Sequence, residues 1–256
     1  MMNGKKIAAD FEVVDNIAAG SSYFKLVLQA SVDLPGIRPG QFAQVRVDNS
    51  KTTFLRRPFS IHYADASLNR IELLINKVGD GSRALSLLRK GDTINIILPL
   101  GNGFGTDLSG QSVLLAGGGV GIAPMLYLGK VLAVKNDVTF VFGFRSSDNI
   151  IDLSRFESYG KVRITTEDGS AGEKGYVTDH SVFNENFSKI YVCGPTPMMK
   201  AVSRYAKQHS VKCEVSLENK MACGLGACLC CVTETNEGHK CVCTDGPVFD
   251  INDLPW

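Results

Sequence analysis

An excess of charge of either sign is the first thing this chain lacks: 27 Lys and Arg stand against 26 Asp and Glu, spread along 256 residues, for a formal net charge of +1. With no basic stripe and no acidic block, nucleic-acid binding and an acidic tail drop out, and partners have to be argued from sites. The opening, MMNGKKIAADFEVV, has two lysines but lacks the apolar core of about 7–15 residues that marks a secretory leader, so the chain reads as cytoplasmic. Residues 112–129 carry no charge, yet five glycines and Pro124 break the stretch, which points to strand, turn and helix and not to a membrane span. Internal repeats and low-complexity linkers are missing too. Histidine is scarce, with four residues, and His62 and the others read as surface or satisfied polar groups, not as ligands or bases. The single tryptophan, Trp256, is a partner contact or simply a tail.

What is present is 44% hydrophobic residues, enough for packed cores in about two domains. From residue 7 to about 100, short alternating segments (11–18, 23–30, 41–47, 58–63, 70–77, 93–98) are separated by turn signals such as Leu34-Pro35-Gly36 and Lys90-Gly91-Asp92. That pattern predicts a small antiparallel barrel or sandwich, with one helix over 82–88 capped by Ser82. From about 111 to 217 the runs SVLLAGG, VTFVFGF, KVRITTE, KIYVCG and CEVSL read as buried strands, with helices over 124–134 and 197–208 between some of them. Strands alternating with helices imply a parallel sheet with right-handed crossovers. After Glu218 glycine and cysteine take over, in about forty residues that are too few to build a core alone.

Six of the eight cysteines fall between Cys223 and Cys243. A reducing compartment argues against disulfides, and clustering favours a metal. Cys223, Cys228 and Cys231 have the C-x4-C-x2-C spacing of a plant-type [2Fe–2S] cluster, whose fourth ligand comes later in the chain. Gly224 and Gly226 let the backbone fold round such a cluster and turn N–H groups toward its sulfurs. Cys241 and Cys243 both qualify as the fourth ligand; two apart, they would share a face of a regular strand, so alternation does not choose between them. Cys243, just before Asp245-Gly246-Pro247, is favoured. Cys193, Cys213, Cys230 and Cys241 are then bystanders. The competing reading, a zinc site made of Cys228, Cys231, Cys241 and Cys243, leaves Cys223 and its glycines without a role.

Two strand-to-helix turns in the middle region are glycine-rich. Gly117-x-Gly119-x-Gly121 departs from the G-x-G-x-x-G fingerprint, and no clear acidic residue follows at the tip of the second strand. The turn still offers backbone N–H groups to a pyrophosphate, although packing alone also explains such glycines. In Tyr191-Val192-Cys193-Gly194-Pro195, Cys193 reads equally as a small buried side chain or as one facing a nicotinamide. In the barrel, Arg56-Arg57-Pro58-Phe59-Ser60 offers an arginine for a phosphate and a surface for a flavin ring, or else an ion pair and a core phenylalanine. Lys77-Val78-Gly79-Asp80-Gly81-Ser82 adds a second anion-binding turn.

The order of these motifs (Arg57-Pro58-Phe59-Ser60, GDGS, PLGNGF, GGGVGIAP, CGPTPMM, then SLENKMACGLGACLCC and VCTDGPVF) resembles the ferredoxin reductase superfamily. More closely, it resembles the electron-transfer subunits of NAD-linked dihydroorotate dehydrogenases, over nearly the whole chain. The resemblance implies a β plus α/β fold: an antiparallel flavin-binding barrel at 1–104, a parallel-sheet nucleotide-binding domain at 105–217 and a small [2Fe–2S] domain at 218–256. It implies FAD bound by Arg57, Pro58, Phe59 and Ser60, with Lys77, Gly79, Gly81 and Ser82 near its phosphates. It implies NAD(H) bordered by Gly119, Gly121, Cys193 and Gly194, and a cluster on Cys223, Cys228, Cys231 and Cys243. It further implies an FMN-containing catalytic partner in a heterotetramer of two plus two chains, serving pyrimidine biosynthesis. Two departures stand out: KCVCTDGP carries an additional cysteine, and Arg145-Ser146-Ser147 suits the 2′-phosphate of NADP.

Overall fold

The computed structural model describes residues 5–256; Met1–Gly4, the start of the segment read for a leader, lie outside the described residues. Six strands, β1 (Ile7–Ala19), β2 (Tyr23–Ala30), β3 (Phe42–Val45), β4 (Arg57–Asp65), β5 (Arg70–Asn76) and β6 (Thr93–Leu100), close into a barrel in the order β1-β2-β5-β4-β3-β6. Alternation drives this: Phe24, Leu26, Leu28 and Ala30 of β2 all point into the barrel core, with solvent-facing residues between them. The long β1 pairs with β6 over its first half and with β2 over its second, shifting register between Val13 and Asp15. A short helix, α1 (Asp80–Leu85), lies between β5 and β6. It begins earlier than the sequence predicts because Gly79, not Ser82, is its cap. The Ser82 hydroxyl instead accepts from the N–H groups of Val78 and Gly79, both at 3.0 Å, and ties down the turn before the helix.

The second half holds β7 (Ser112–Gly118), α2 (Met125–Leu132), β8 (Asp137–Phe144), α3 (Ser154–Glu157), β9 (Lys161–Thr166), β10 (Glu173–Lys174), β11 (Lys189–Cys193), α4 (Thr196–Gln208) and β12 (Lys212–Ser216). The tail adds a hairpin, β13 (Val232–Thr235) and β14 (Gly238–Cys241), then β15 (Val248–Asp250). The large sheet runs β10-β9-β8-β7-β11-β12-β15, parallel except for β15, which pairs antiparallel with β12. Both faces are covered, which is why SVLLAGG is apolar without alternation. Leu114 and Ala116 face α4 and the tail, whereas Val113 and Leu115 face α2 and α3.

Two features of this fold position the site. The chain goes from β7 outward to β8, β9 and β10, then returns to the other side as β11 and β12, so the sheet has its switch point between β7 and β11. The cysteine tail does not rely on inorganic chemistry alone, since Val242, Phe249, Ile251 and Leu254 pack in one core with Leu114, Val192 and Val215. A segment too small for a core of its own has borrowed its neighbour's. Among the described residues no helix is long and apolar enough to cross a membrane.

Candidate functional site

A cavity of about 1120 Å³ opens at the switch point, between the barrel and the carboxyl ends of the parallel strands. Pro58, Phe59 and Ser60 of β4, with Lys77 after β5, line it from the barrel side. Opposite lie Gly119 and Gly121, then Cys193 and Gly194. The two glycine turns fit into each other: a Cβ on Gly121 would lie 2.3 Å from the Cys193 carbonyl oxygen, and one on Gly194 would lie 3.0 Å from the Gly118 nitrogen. Gly121 is therefore required for packing, and that packing is what brings both turns to one wall.

The barrel is docked on this wall through β4. His62 is buried, and its Nδ1 lies 2.7 Å from the Ala123 carbonyl oxygen in the turn leading into α2. Burial pushes its pKa down to about 4, so the ring is neutral and its N–H donates to that carbonyl. Of the two sequence readings of His62 the satisfied polar one holds. Beside it, Lys130 and Arg155 lie over the Tyr63 ring at 4.3 and 4.4 Å, and Arg155 pairs with Glu72.

The arginine pair divides its work. Arg56 is structural, with Nη1 donating to the Asn95 carbonyl at 2.9 Å and Nη2 to its side chain. Among the described residues Arg57 donates only to backbone carbonyls of its own segment, Leu55 at 2.8 Å and Arg56 at 3.4 Å. Its side chain runs against Gly81, where an added Cβ would meet Arg57 Cγ and Nε at 3.4 Å. Arg57 and the Gly79–Ser82 turn thus adjoin, although Arg57, Gly79, Gly81 and Ser82 do not line the main cavity. Cys193 does line it, as a neutral thiol pushed up to about 12 by burial and, secondarily, by Glu218.

Sequence reasoning missed several lining residues. Tyr23 reaches from β2 to the turn, where a Cβ on Gly119 would lie 3.6 Å from its hydroxyl, and burial raises its pKa. Glu167, just after β9, lines the same cavity as Arg145. Leu217, Glu218, Asn219 and Met221, on the chain leaving β12, line the cavity just before Cys223. Residues 217–221 stand within the SLENKMA stretch of the sequence, but nothing local there marks them as cavity-lining; the docking of barrel on sheet assembles them with Tyr23 and Glu167.

The cysteine loop is built for sulfur ligation. Cys223 Sγ accepts from the Leu225 N–H at 3.3 Å, and this amide first, then that of Cys228, pushes its pKa down to about 6, with the Cys228 thiol alongside. Cys243 is buried, which pushes its thiol up to about 12; its Sγ accepts from Gly226 at 3.2 Å, and its N–H donates to Cys231 Sγ at 3.4 Å. Cys241 also stands beside Cys231, but its sulfur accepts no amide among the described residues. Cys241 and Cys243 do not share a strand face as a regular strand would have it, because β14 ends at Cys241 and the chain turns there, with Asp245 accepting the Cys241 N–H at 2.7 Å. Among the described residues no three His, Cys, Asp or Glu side chains converge as a single-ion site would need. Cys223 lies beside Cys228, and Cys231 lies beside both Cys243 and Cys241. Two thiolates per iron, with backbone N–H groups turned to sulfur, is a donor set that fits a [2Fe–2S] cluster.

Comparison with known proteins agrees with these three parts. Residues 9–104 match the family described as oxidoreductase FAD-binding domain, 115–204 the oxidoreductase NAD-binding domain, and 218–255 the iron–sulfur cluster binding domain of dihydroorotate dehydrogenase B. The electron transfer subunit of dihydroorotate dehydrogenase B (NAD(+)) from Shouchella clausii is 38% identical over 252 residues, covering 94% of this chain and 96% of that one. The chain belongs to that family. Its relative of the same name from Clostridium acetobutylicum is 41% identical, covering 93% of each chain. Among solved structures, that of an NADH-dependent reduced ferredoxin-NADP oxidoreductase, studied for flavin-based electron bifurcation, is 33% identical with a TM-score of 0.86 over 96% of this chain and 90% of that one. Phthalate dioxygenase reductase, 21% identical with a TM-score of 0.63 over 78% and 64%, shares the fold.

Proposed function

We propose that this chain is the electron-transfer subunit of an NAD-linked dihydroorotate dehydrogenase of pyrimidine biosynthesis, acting in the cytoplasm as two copies bound to two FMN-containing catalytic chains. Cys223, Cys228, Cys231 and Cys243 would hold a [2Fe–2S] cluster, which together with bound FAD would link the partner to NAD+. FAD supplies the conversion between single electrons and a hydride, and the cluster carries single electrons.

The observation that carries this reading is one cavity with barrel and sheet motifs on facing walls, which leads along residues 217–221 into the cysteine loop. In the proposed site Pro58, Phe59 and Ser60 lie against the flavin, and Arg57 with Lys77, Gly79, Gly81 and Ser82 holds its phosphates. Gly119, Gly121, Cys193 and Gly194 border the nicotinamide nucleotide. The protein's work is placement and exclusion of water, since hydride exchange asks for no protein acid or base. Cys193, on the wall, keeps its proton, and His62, buried behind it, is a neutral donor tied to Ala123. Glu167 lines the same cavity as Arg145, so a 2′-phosphate there would enter a lining that holds a carboxylate as well as a guanidinium, which favours NAD. On the cysteine loop Leu225 and Leu229 are 45% and 63% exposed, apolar surface suited to a partner at the electron outlet.

The likeness to the bifurcating oxidoreductase favours a second reading, a reductase subunit of another flavin complex. Purification of the native complex through a tag on this chain separates the two. Dihydroorotate-dependent reduction of NAD+ with one FMN per FAD supports the first reading. A complex that ignores dihydroorotate and couples NADH to ferredoxin and NADP+ establishes the second.

A further inference from the structure

Gln44 is fully buried, at 0% exposure, and neither its amide nitrogen nor its oxygen has a hydrogen-bond partner among the described residues. The other buried polar atoms left unpaired there are single hydroxyls, on Thr165 and Ser203. A carboxamide unpaired at both ends is costly, so its place in the fold indicates what completes it.

That place is between the cavity and the cysteine loop. Ala43 and Val45 of β3 point into the barrel core, so Phe42 and Gln44 share the opposite face. Phe42 packs there in one cluster with Cys231, Val242 and Cys243. Across the sheet Gln44 pairs with Pro58 and Phe42 with Ser60, both of which line the cavity. Over the carboxamide lies Gly224, with φ +72; a Cβ there would fall 2.7 Å from Gln44 Cγ and Nε2. Only glycine lets the loop close on this side chain, and the residue before it is Cys223.

We propose that the Gln44 carboxamide is a hydrogen-bond donor from the barrel to the sulfurs of the cluster, at or beside Cys223, and so sets the cluster's reduction potential; this rests on the cluster reading of the cysteine loop. Half a turn of the carboxamide exchanges its two ends, and anionic sulfur selects the NH2 group. Reduction makes the cluster more negative, so a donor stabilises the reduced form more and raises the potential. Gln44 is thus a tuning residue, not a ligand.

The test uses the FAD- and cluster-loaded chain. Gln44→Met keeps the length of the side chain and removes both polar ends. Full iron, sulfide and flavin content is expected, with the cluster midpoint potential shifted downward and the FAD midpoint unchanged. A second measurement needs no variant: pulsed electron paramagnetic resonance of the reduced wild-type chain, labelled with 15N only in glutamine carboxamides, is expected to show a 15N coupling to the cluster. An unchanged cluster potential in a fully loaded variant, or no 15N coupling in the wild type, overturns the proposal. Wild-type chain without iron and sulfide after reconstitution overturns the cluster reading instead, so the two failures are told apart.

Discussion

Gly121 lies so close to Cys193 that a Cβ on it would fall 2.3 Å from the Cys193 carbonyl oxygen and 2.5 Å from its carbon. The obstacle is backbone at the end of a buried strand, which cannot step aside as a flexible side chain would. Gly121→Ala is expected to cost about 1–3 kcal/mol of stability, as overpacking does, and to raise KM for NADH because the wall of the cavity is displaced. Gly36→Ala, where nothing lies within 4 Å, is the control and should stay within about 0.5 kcal/mol. Denaturant unfolding and NADH kinetics check both.

Arg57 and Arg56 should separate cleanly. Arg57→Ala leaves only local carbonyls without a donor and removes the cation beside Gly81, so FAD per purified chain is expected to fall several-fold with little change in folding. Arg56→Ala breaks the ties to Asn95 and should lower stability by about 1–3 kcal/mol, while flavin content at saturating FAD is retained.

For the fourth cluster ligand, Cys243→Ser is expected to abolish the cluster's paramagnetic signal and halve bound iron or worse, whereas Cys241→Ser keeps iron and sulfide at two each per chain, as one [2Fe–2S] cluster requires. The difference follows from the Gly226 N–H, which is aimed at Cys243 and has no counterpart at Cys241 among the described residues.

Much of the fold is legible in local pattern. The segment 23–30 is β2 because burial alternates from Phe24 to Ala30, and the Asn236-Glu237-Gly238 turn joins β13 to β14 as its glycine suggests. Pro58, Phe59, Ser60, Lys77 and the two glycine turns, picked out by motif, do meet round one cavity. What local pattern misses is set by tertiary contact. β15 is three residues long and exists as a strand because β12 offers it an edge. The start of α1 is displaced because Ser82 bonds backward to Val78 and Gly79, a choice made by the turn and not by helix propensity. Gln44 looks like any polar residue in a strand, and its burial appears only when the cysteine loop folds over it.

His62 gives a pH dependence with a definite sign. In the unfolded chain its imidazole takes a proton below about 6.5, but in the fold burial holds the pKa down to about 4. The stability it contributes is therefore complete above the unfolded value and is lost as pH falls toward the folded one, about 3 kcal/mol in all. His62→Gln lacks that slope, so wild type and variant should converge in unfolding free energy between pH 7 and pH 4. His180, shifted down by burial as well, is common to both and cancels.

Whether one chain joins nicotinamide to a cluster through a flavin is decided by an anaerobic NADH titration of the purified protein, with flavin, iron and sulfide counted. Flavin bands with a red-brown iron–sulfur shoulder are expected, both bleached by NADH, at one FAD, two iron and two sulfide per chain. A chain that binds zinc, stays colourless after reconstitution with iron and sulfide, and shows no response to NADH would contradict that electron path.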